Sequence, residues 1–262
     1  GAWYTQDAAK AVYAGLLDNS AAGQLDQSIS RKDAFILFDK AFQIAEAQPD
    51  LTALDQFPDA ASLTGQSQRA AAALVEAGIV SGSEGKLQID RPLTRAEFAT
   101  ILYRLADQYI SAAAFTGHTG AGSVLSGDAD LSGVQMGAIW FDQSASNIRL
   151  TDVTAKQVTV RSDQLTSLAI SGTGEISRLV LAARSGDIML DLPDSCPVST
   201  VSVGDGSGTI SFSGTTSAME ITGQRRTVNV NCSLDTLVIS GSDCSVTVKK
   251  GCSIRNLTVL GT

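Results

Sequence analysis

The sequence predicts a multidomain α + β chain: N-terminal helical repeats followed by a parallel β-solenoid (β-helix) of about six coils. Three observations carry this. The texture changes along the 262 residues: of 14 aromatics, 11 precede residue 118, and after Phe141 only Phe212 remains. Ala, Leu, Gln and Phe give way to Ser, Thr, Val and Gly, so helix formers yield to β-branched residues. Within the first part a helical segment recurs at an offset of 63 to 64 positions, and in the second, pairs of apolar residues recur every 18–22 positions. The expected organisation is a helical domain at 1–112 with repeats at about 3–45 and 57–108, a Gly-rich hinge at 113–127, and a solenoid at 128–262.

In the helical part, Gly15-Leu16-Leu17 followed by QLDQSISRKDAFILFDKAF matches Gly78-Ile79-Val80 followed by KLQIDRPLTRAEFATILYRL. Each copy reads as an Ala-rich helix ending at a Gly (Gly15, Gly78) suited to the left-handed C′ position, a turn with another Gly (Gly23, Gly85), and a second helix. That second helix opens on a hydroxyl-x-x-acid box, Ser30 to Asp33 and Thr94 to Glu97. In such a box the hydroxyl accepts from the N3 amide and the acid reaches back to the N-cap amide. Glu or Gln is the usual acid, so the first box is the weaker. Leu37, Phe38 and Ala41, with Ile101, Leu102 and Leu105, form the expected apolar stripes. Arg31 and Arg95 fall at N1, off those stripes.

The segments FPDAA and ALVEAGIVSGSEGKLQIDRPLTRAEFATILYR (57–104) resemble an S-layer homology (SLH) repeat, through F-x-D, G-I-V-x-G and T-R-A-E. Trp3 through Phe42 is similar but degenerate, with SRKD in place of TRAE. The resemblance spans about 105 residues and implies a bacterial cell-surface protein, secreted and held non-covalently at the cell wall. The implied partner is pyruvylated secondary cell-wall polysaccharide. It implies four polysaccharide-binding residues: Arg95, and Arg31 in the degenerate copy, which meet the acidic ketal, with the F-x-D acid Asp59 and the aromatic early in the first helix, Trp3. A planar guanidinium meets a carboxylate bidentately, which suits that role. Glu97 and Asp33 would be cap acids, with Ser30 and Thr94 as caps. Such repeats usually come in threes; this sequence has two, no third TRAE-like box, and Gln66 where Trp3 aligns. The helices are therefore expected either to bind polymer or to serve a structural role.

From residue 147 one series of inward pairs runs Val158/Val160, Leu179/Leu181, Val201/Val203, Met219/Ile221, Leu237/Ile239 and Leu257/Val259. The other runs Ile148/Leu150, Leu168/Ile170, Ile188/Leu190, Ile210/Phe212, Val228/Val230 and Val246/Val248. Alternation within each burst is the signature of a half-buried strand. Two-residue hairpin turns such as Asn-Gly are missing, so stacked parallel coils fit better than hairpins. Gly after Ile170, Ile221, Ile239 and Leu260 suits the corners. Val124 to Phe141 is expected to supply an irregular first coil. The last coil has no visible cap, and chain–chain contact there is a further expectation. Cys232 and Cys252 fall at equivalent positions of adjacent coils, about 4.8 Å apart if in register, within disulfide range. They make either a disulfide or a small-residue ladder.

Little points to chemistry. A net charge of −8 argues against nucleic acid, and no run of about 18 apolar residues is present to enter a membrane. The first residues, GAWYTQDAAK, lack the basic-then-apolar pattern of an export signal. One His and no C-x-x-C predict no metal site and no cofactor. His118 lies in the hinge without a nucleophile context. Asp187 and Asp191, about 13 Å apart along a strand, are too distant for glycosidic acid–base work, which wants roughly 5–9.5 Å. The residues expected to face outward are Thr159, Val180, Ser202, Glu220, Val238 and Thr258, with Arg149, Ala169, Met189, Ser211, Asn229 and Thr247. They are a mostly small and neutral set without an aromatic platform, and the basic pairs Arg225-Arg226 and Lys249-Lys250 fall at solvated turns. No catalytic residue is expected, and the chain is read as a non-enzymatic surface protein. The alternative is a carbohydrate-active enzyme, a polysaccharide lyase or hydrolase with the β-helix as its catalytic domain.

Overall fold

The computed structural model describes residues 2–13, 15–18, 24–117, 120–182 and 186–261. The chain divides into two compact units, Gly1–Leu105 and Ala106–Thr262. Gly23 and His118 lie outside the described residues.

Among the described residues the first unit holds four α-helices: α1 (Thr5–Tyr13), α2 (Arg31–Phe42), α3 (Gly65–Glu76) and α4 (Arg95–Leu105). Gly15 and Gly78, which follow α1 and α3, sit at φ 71° and 70°, left-handed positions where a Cβ would be strained. Four consecutive alanines, Ala70 to Ala73, are buried in α3 and let α2 approach closely. The core gathers Phe35, Phe38, Leu74, Leu87, Ile89, Ile101 and Leu105. The stripe on α4 is narrower than its spacing predicts: Ile101 and Leu105 are buried, while Leu102 is 38% exposed beside the exposed Phe98 and Tyr103.

The second unit is a parallel β-solenoid, with sixteen strands among the described residues. One long sheet has the order β1-β2-β4-β6-β8-β10-β12-β14-β16. Its members are β1 (Gln108–Ser111), β2 (Gly122–Ser126), β4 (Gln135–Phe141), β6 (Thr154–Val160), β8 (Ile176–Leu181), β10 (Val198–Val203), β12 (Thr216–Ile221), β14 (Leu234–Ile239) and β16 (Ile254–Val259). Opposite it stand two shorter sheets. One is β3 (Ala129–Ser132), β5 (Asn147–Thr151) and β7 (Ser167–Ser171); the other is β9 (Ile188–Leu192), β11 (Thr209–Gly214), β13 (Thr227–Val230) and β15 (Ser245–Val248). Every strand pairs in parallel, and the predicted inward residues align rung by rung: Val158 with Leu179, Leu179 with Val201, Val201 with Met219, Met219 with Leu237, Leu237 with Leu257.

Two features differ from the sequence expectation. The coils number about eight rather than six, because residues 106–141 contribute three long-sheet strands instead of one irregular coil. The segment 122–126, expected as hinge, is strand β2, paired to β1 and β4. Its signal is masked by Gly122, which is there for space: a Cβ would lie 2.4 Å from the Trp140 ring.

Each coil also buries more than two pairs. In the long sheet an extra inward residue precedes each pair: Ala155, Ile176, Val198, Thr216 and Leu234. The gap of three from Ala155 to Val158 breaks the period of two, so the strand bends there and alternation alone misses the first residue. The corners that follow are glycine stacks. A Cβ on Gly241 would lie 1.8 Å from the Gly223 carbonyl oxygen, and one on Gly261 2.1 Å from that of Gly241. Acids staple the coils together: Asp128 accepts from the Ser146 amide, Asp152 from Thr173, Asp187 from Thr209 and Asp205 from Gln224, at 2.7–2.9 Å. These bonds occupy part of the acidic excess. In the last coil Leu257 and Val259 are 58% and 59% exposed, though they continue an otherwise buried ladder.

Candidate functional site: a pinned arginine and its cleft

The first unit brings the two repeat motifs together. Segments 29–32 and 89–93 run antiparallel: the Arg31 amide donates to Arg91 O at 3.0 Å, Lys32 to Ile89 O at 3.0 Å, and Leu93 to Ile29 O at 2.9 Å. Each segment leads into a capped helix. The Glu97 amide donates to Thr94 Oγ1 at 3.2 Å and the Thr94 amide to Glu97 Oε2 at 2.9 Å, a closed capping box. In the first copy the Asp33 amide donates to Ser30 Oγ at 3.2 Å, while Asp33 takes the Ser30 hydroxyl at 2.5 Å. A shorter acid does the return half through the side chain.

Glu97 does more than cap. Arg31 Nη1 donates to Glu97 Oε1 at 2.8 Å, Arg91 Nη2 donates to the same oxygen at 2.5 Å, and Arg91 Nη1 donates to Oε2 at 3.2 Å. Its carboxyl is held down to about 2, chiefly by the hydrogen bond from Arg91; burial opposes this, and the Thr94 donors and the Arg31 charge add to it. Arg31 is buried, gives its Nε to Leu87 O at 2.8 Å, and stacks over Phe35 at 5.4 Å. Burial lowers its pKa, and the Glu97 charge opposes that. Spacing places Arg31 on the surface; a long-range partner draws it inside. No local sequence signal carries that partnership, because Arg31 and Glu97 are 66 positions apart.

The other residues expected in the site are dispersed. Asp59 spends both carboxylate oxygens on backbone, accepting from the Leu87 amide at 3.0 Å and the Gln88 amide at 2.6 Å. It therefore fixes the turn that presents Leu87 O to Arg31. Trp3 is 91% exposed and touches Tyr4 edge to face at 5.6 Å. Arg95 is exposed at the start of α4 and has no ion pair with a described residue. Beside the Arg31–Glu97 pair lies an open cleft of about 220 Å³, lined by Ser81, Gly82, Ala96, Thr100 and Arg104 among others. Arg104 Nη1 donates to Ile79 O at 2.9 Å, holding the Ile79-to-Gly82 rim against α4. Gly82 is obligatory: it has φ 69°, and a Cβ would lie 2.6 Å from Lys86 O.

In the solenoid, several residues expected to face solvent are buried: Thr159, Val180, Ser202, Glu220 and Val238. Arg178, itself buried, crosses this row, with Nη2 3.2 Å from Ser202 Oγ and 3.4 Å from Glu220 Oε2. Gln157 Nε2 donates to Thr159 Oγ1 at 2.8 Å. Arg178 and Gln157 thus reach the short side chains of this row, contacts that alternation does not reveal. Asp191 and Asp194 take the hydroxyls of Ser213 and Thr215, and Asp187 takes the Thr209 amide. These acids hold neighbouring coils.

Arg226 departs most from expectation. It is 1% exposed, not solvated, and its Nε and Nη1 find no protein acceptor. Burial lowers its pKa, with Asp205 and Cys244 opposing. A buried cation with two unsatisfied donor nitrogens is costly, so Arg226→Met is expected to raise solenoid stability by about 1–2 kcal/mol. Urea denaturation checks this; a destabilised variant would mean the guanidinium is bound to something.

All four cysteines are free thiols, Cys232 and Cys252 included. No group of metal-ligating side chains occurs among the described residues, and no described helix is long and apolar enough to cross a membrane.

Residues 56–99 match the family model of the S-layer homology domain, an interval holding Asp59, the Gly82 rim, Thr94, Arg95 and Glu97. No curated protein and no solved structure matches the chain. An S-layer homology domain implies anchoring at the cell wall, and this chain carries one at residues 56–99, followed by a C-terminal parallel β-solenoid.

Proposed function

We propose that the first unit binds acidic, pyruvylated secondary cell-wall polysaccharide and that the solenoid is a non-catalytic stalk or display surface, with the chain secreted to the wall. The observation that carries the reading is the exposure of Arg95, which precedes the cleft-lining Ala96 without itself lining the cleft, while the arginines that do line it are engaged. Arg31 is committed to Glu97 and Leu87 O, and Arg104 to Ile79 O, so Arg95 is the motif cation left to meet a carboxylate. Its planar fork would take a pyruvyl carboxylate bidentately. Arg31 then acts beneath the site, fixing the rim.

Retention on purified cell walls tests this, with walls carrying or stripped of their pyruvylated polymer. The wild type is expected to be retained only on intact walls, and Arg95→Ala to lose about tenfold or more in affinity, as for a charged hydrogen bond of roughly 1.5–3 kcal/mol. Equal retention of Arg95→Ala sinks the arginine assignment. Failure of the wild type to bind sinks polymer recognition altogether.

One observation favours the enzymatic alternative: the buried polar row of Arg178, Ser202 and Glu220 on the long sheet. A lyase or hydrolase would put such a row to work on a polysaccharide. Glu220 is paired with Arg178 and not with a second carboxylate, which supports a structural role. Release of reducing or unsaturated ends from wall polysaccharide by the wild type, but not by Glu220→Gln, would reverse that conclusion.

A further inference from the structure

We propose that Cys232 and Cys252 are a thiol–disulfide modification site, two free thiols on consecutive rungs that an external disulfide converts into an intrachain clasp on the last coil. The inference is independent of what the first unit binds.

The geometry rests on register. Asn231-Cys232-Ser233-Leu234 and Gly251-Cys252-Ser253-Ile254 occupy the same corner of successive coils, because Leu234 pairs with Ile254 in the parallel ladder. The alignment continues back towards the cysteines: the Leu234 amide donates to Ser253 O at 2.9 Å, the Ser253 amide to Ser233 Oγ at 3.1 Å, and the two hydroxyl oxygens lie 3.3 Å apart. Adjacent rungs are separated by about 4.8 Å, inside the roughly 4.4–6.8 Å between α-carbons that a disulfide spans. Both thiols are half-buried and free, so a small reagent has access. Burial pushes the Cys232 thiol up to about 11, and the negative charge of Cys252 adds to this.

The remaining cysteines do not share this arrangement. The same rung position runs Cys196, Gly214, Cys232 and Cys252, since Val198, Thr216, Leu234 and Ile254 are successive partners. Gly214 interposes a coil without a side chain, and Cys196 is fully buried. Cys244 sits at another corner, its Sγ donating to Gly223 O at 3.2 Å.

The chemistry needs only an external disulfide as oxidant. One cysteine thiolate attacks it, forming a mixed disulfide and expelling one thiolate. The second cysteine thiolate attacks the protein sulfur of that mixed disulfide, forming the Cys232–Cys252 bond and expelling the other. The protein loses two electrons and two protons; the oxidant gains them as two thiols. The bond would tie β16, with its exposed Leu257 and Val259, to the coil below.

The test is incubation of the full chain with oxidised glutathione, followed by non-reducing peptide mapping and amide hydrogen exchange. The expected product has lost two hydrogen atoms and two titratable thiols and yields a Cys232–Cys252 linked peptide. Closing a loop of this size is expected to slow exchange in β16 by on the order of 100-fold, reversibly with dithiothreitol. A Cys196→Ser/Cys244→Ser chain is expected to behave identically, and Cys252→Ser to stop at a glutathione adduct or remain unmodified. A stable adduct on the wild type without the linked peptide overturns the proposal. So does bonding to Cys196 or Cys244, or linkage only between chains.

Discussion

Replacing Glu97 with alanine is expected to destabilise the helical unit by about 3–5 kcal/mol, because it strands a buried guanidinium without its counter-charge. Arg31 would keep its bond to Leu87 O but lose its carboxylate, Arg91 would lose two bonds, and α4 would lose its return cap, alone worth about 1 kcal/mol. A domain holds only about 5–15 kcal/mol in total, so much of the helical signal should melt in mild denaturant while the β signal persists. A loss below about 1 kcal/mol would mean that the pair is solvent-relaxed and contributes like a surface bridge. The double variant Arg31→Met/Glu97→Gln separates the causes. It removes both charges, so it should recover most of what Glu97→Ala loses beyond the cap.

The same group sets an acid limit. Glu97 ionises at about 2 in the folded state against an ordinary 4.5, so the folded state favours its charged form. The resulting stability is fully present above pH 4.5 and is lost as pH falls from there towards 2. With the side chain 29% exposed, solvent screening reduces the contribution to about 1–2 kcal/mol. Thermal midpoints of Glu97→Gln and wild type should therefore converge between pH 4.5 and 2. A gap that stays constant over this range would exclude the ionised carboxylate as the cause.

Truncation of Phe212 to alanine is expected to cost the solenoid about 3–5 kcal/mol. Phe212 is fully buried, the one aromatic in the coils after Phe141, and it stacks between Leu190 below and Val230 above. Coils contact only their neighbours, so the cavity weakens one interface of a linear array instead of a shared core. Amide exchange should rise first in β13 and β15, above the lesion, and least in β4 and β6. Uniform acceleration across all coils would show that the array melts as one unit.

Much of the fold is legible in the order of residues. The change from Ala and Leu to Ser, Thr and Val marks the two units, and the recurring pairs from Ile148 to Val259 specify stacked parallel strands. Period and composition are local quantities, and each coil repeats the same local problem. The caps were equally legible, since Thr94 and Glu97 are three positions apart and the box closes within one turn. The coils before residue 141 were not, because Gly122 answers to the Trp140 ring, a contact across a coil that no local spacing records.

The candidate site divides along the same line. The TRAE motif located Arg95 and Glu97, but spacing alone assigned Arg31 and Arg226 to the surface, and the chain buries both. Whether a guanidinium is buried depends on what faces it: Glu97 and Leu87 O for Arg31, and for Arg226 a coil interior that supplies no acceptor to Nε or Nη1. Asp59 likewise has the motif position of a ligand residue and spends itself on the Leu87 and Gln88 amides. The sequence by itself determined the two architectures, the helix starts and the S-layer homology segment at 56–99, because periodicity, propensity and capping act within a few residues. Only the tertiary structure decided which charged side chains are inside and which stay exposed. That depends on pairings between residues as much as 66 positions apart, where desolvation and partner geometry outweigh local preference.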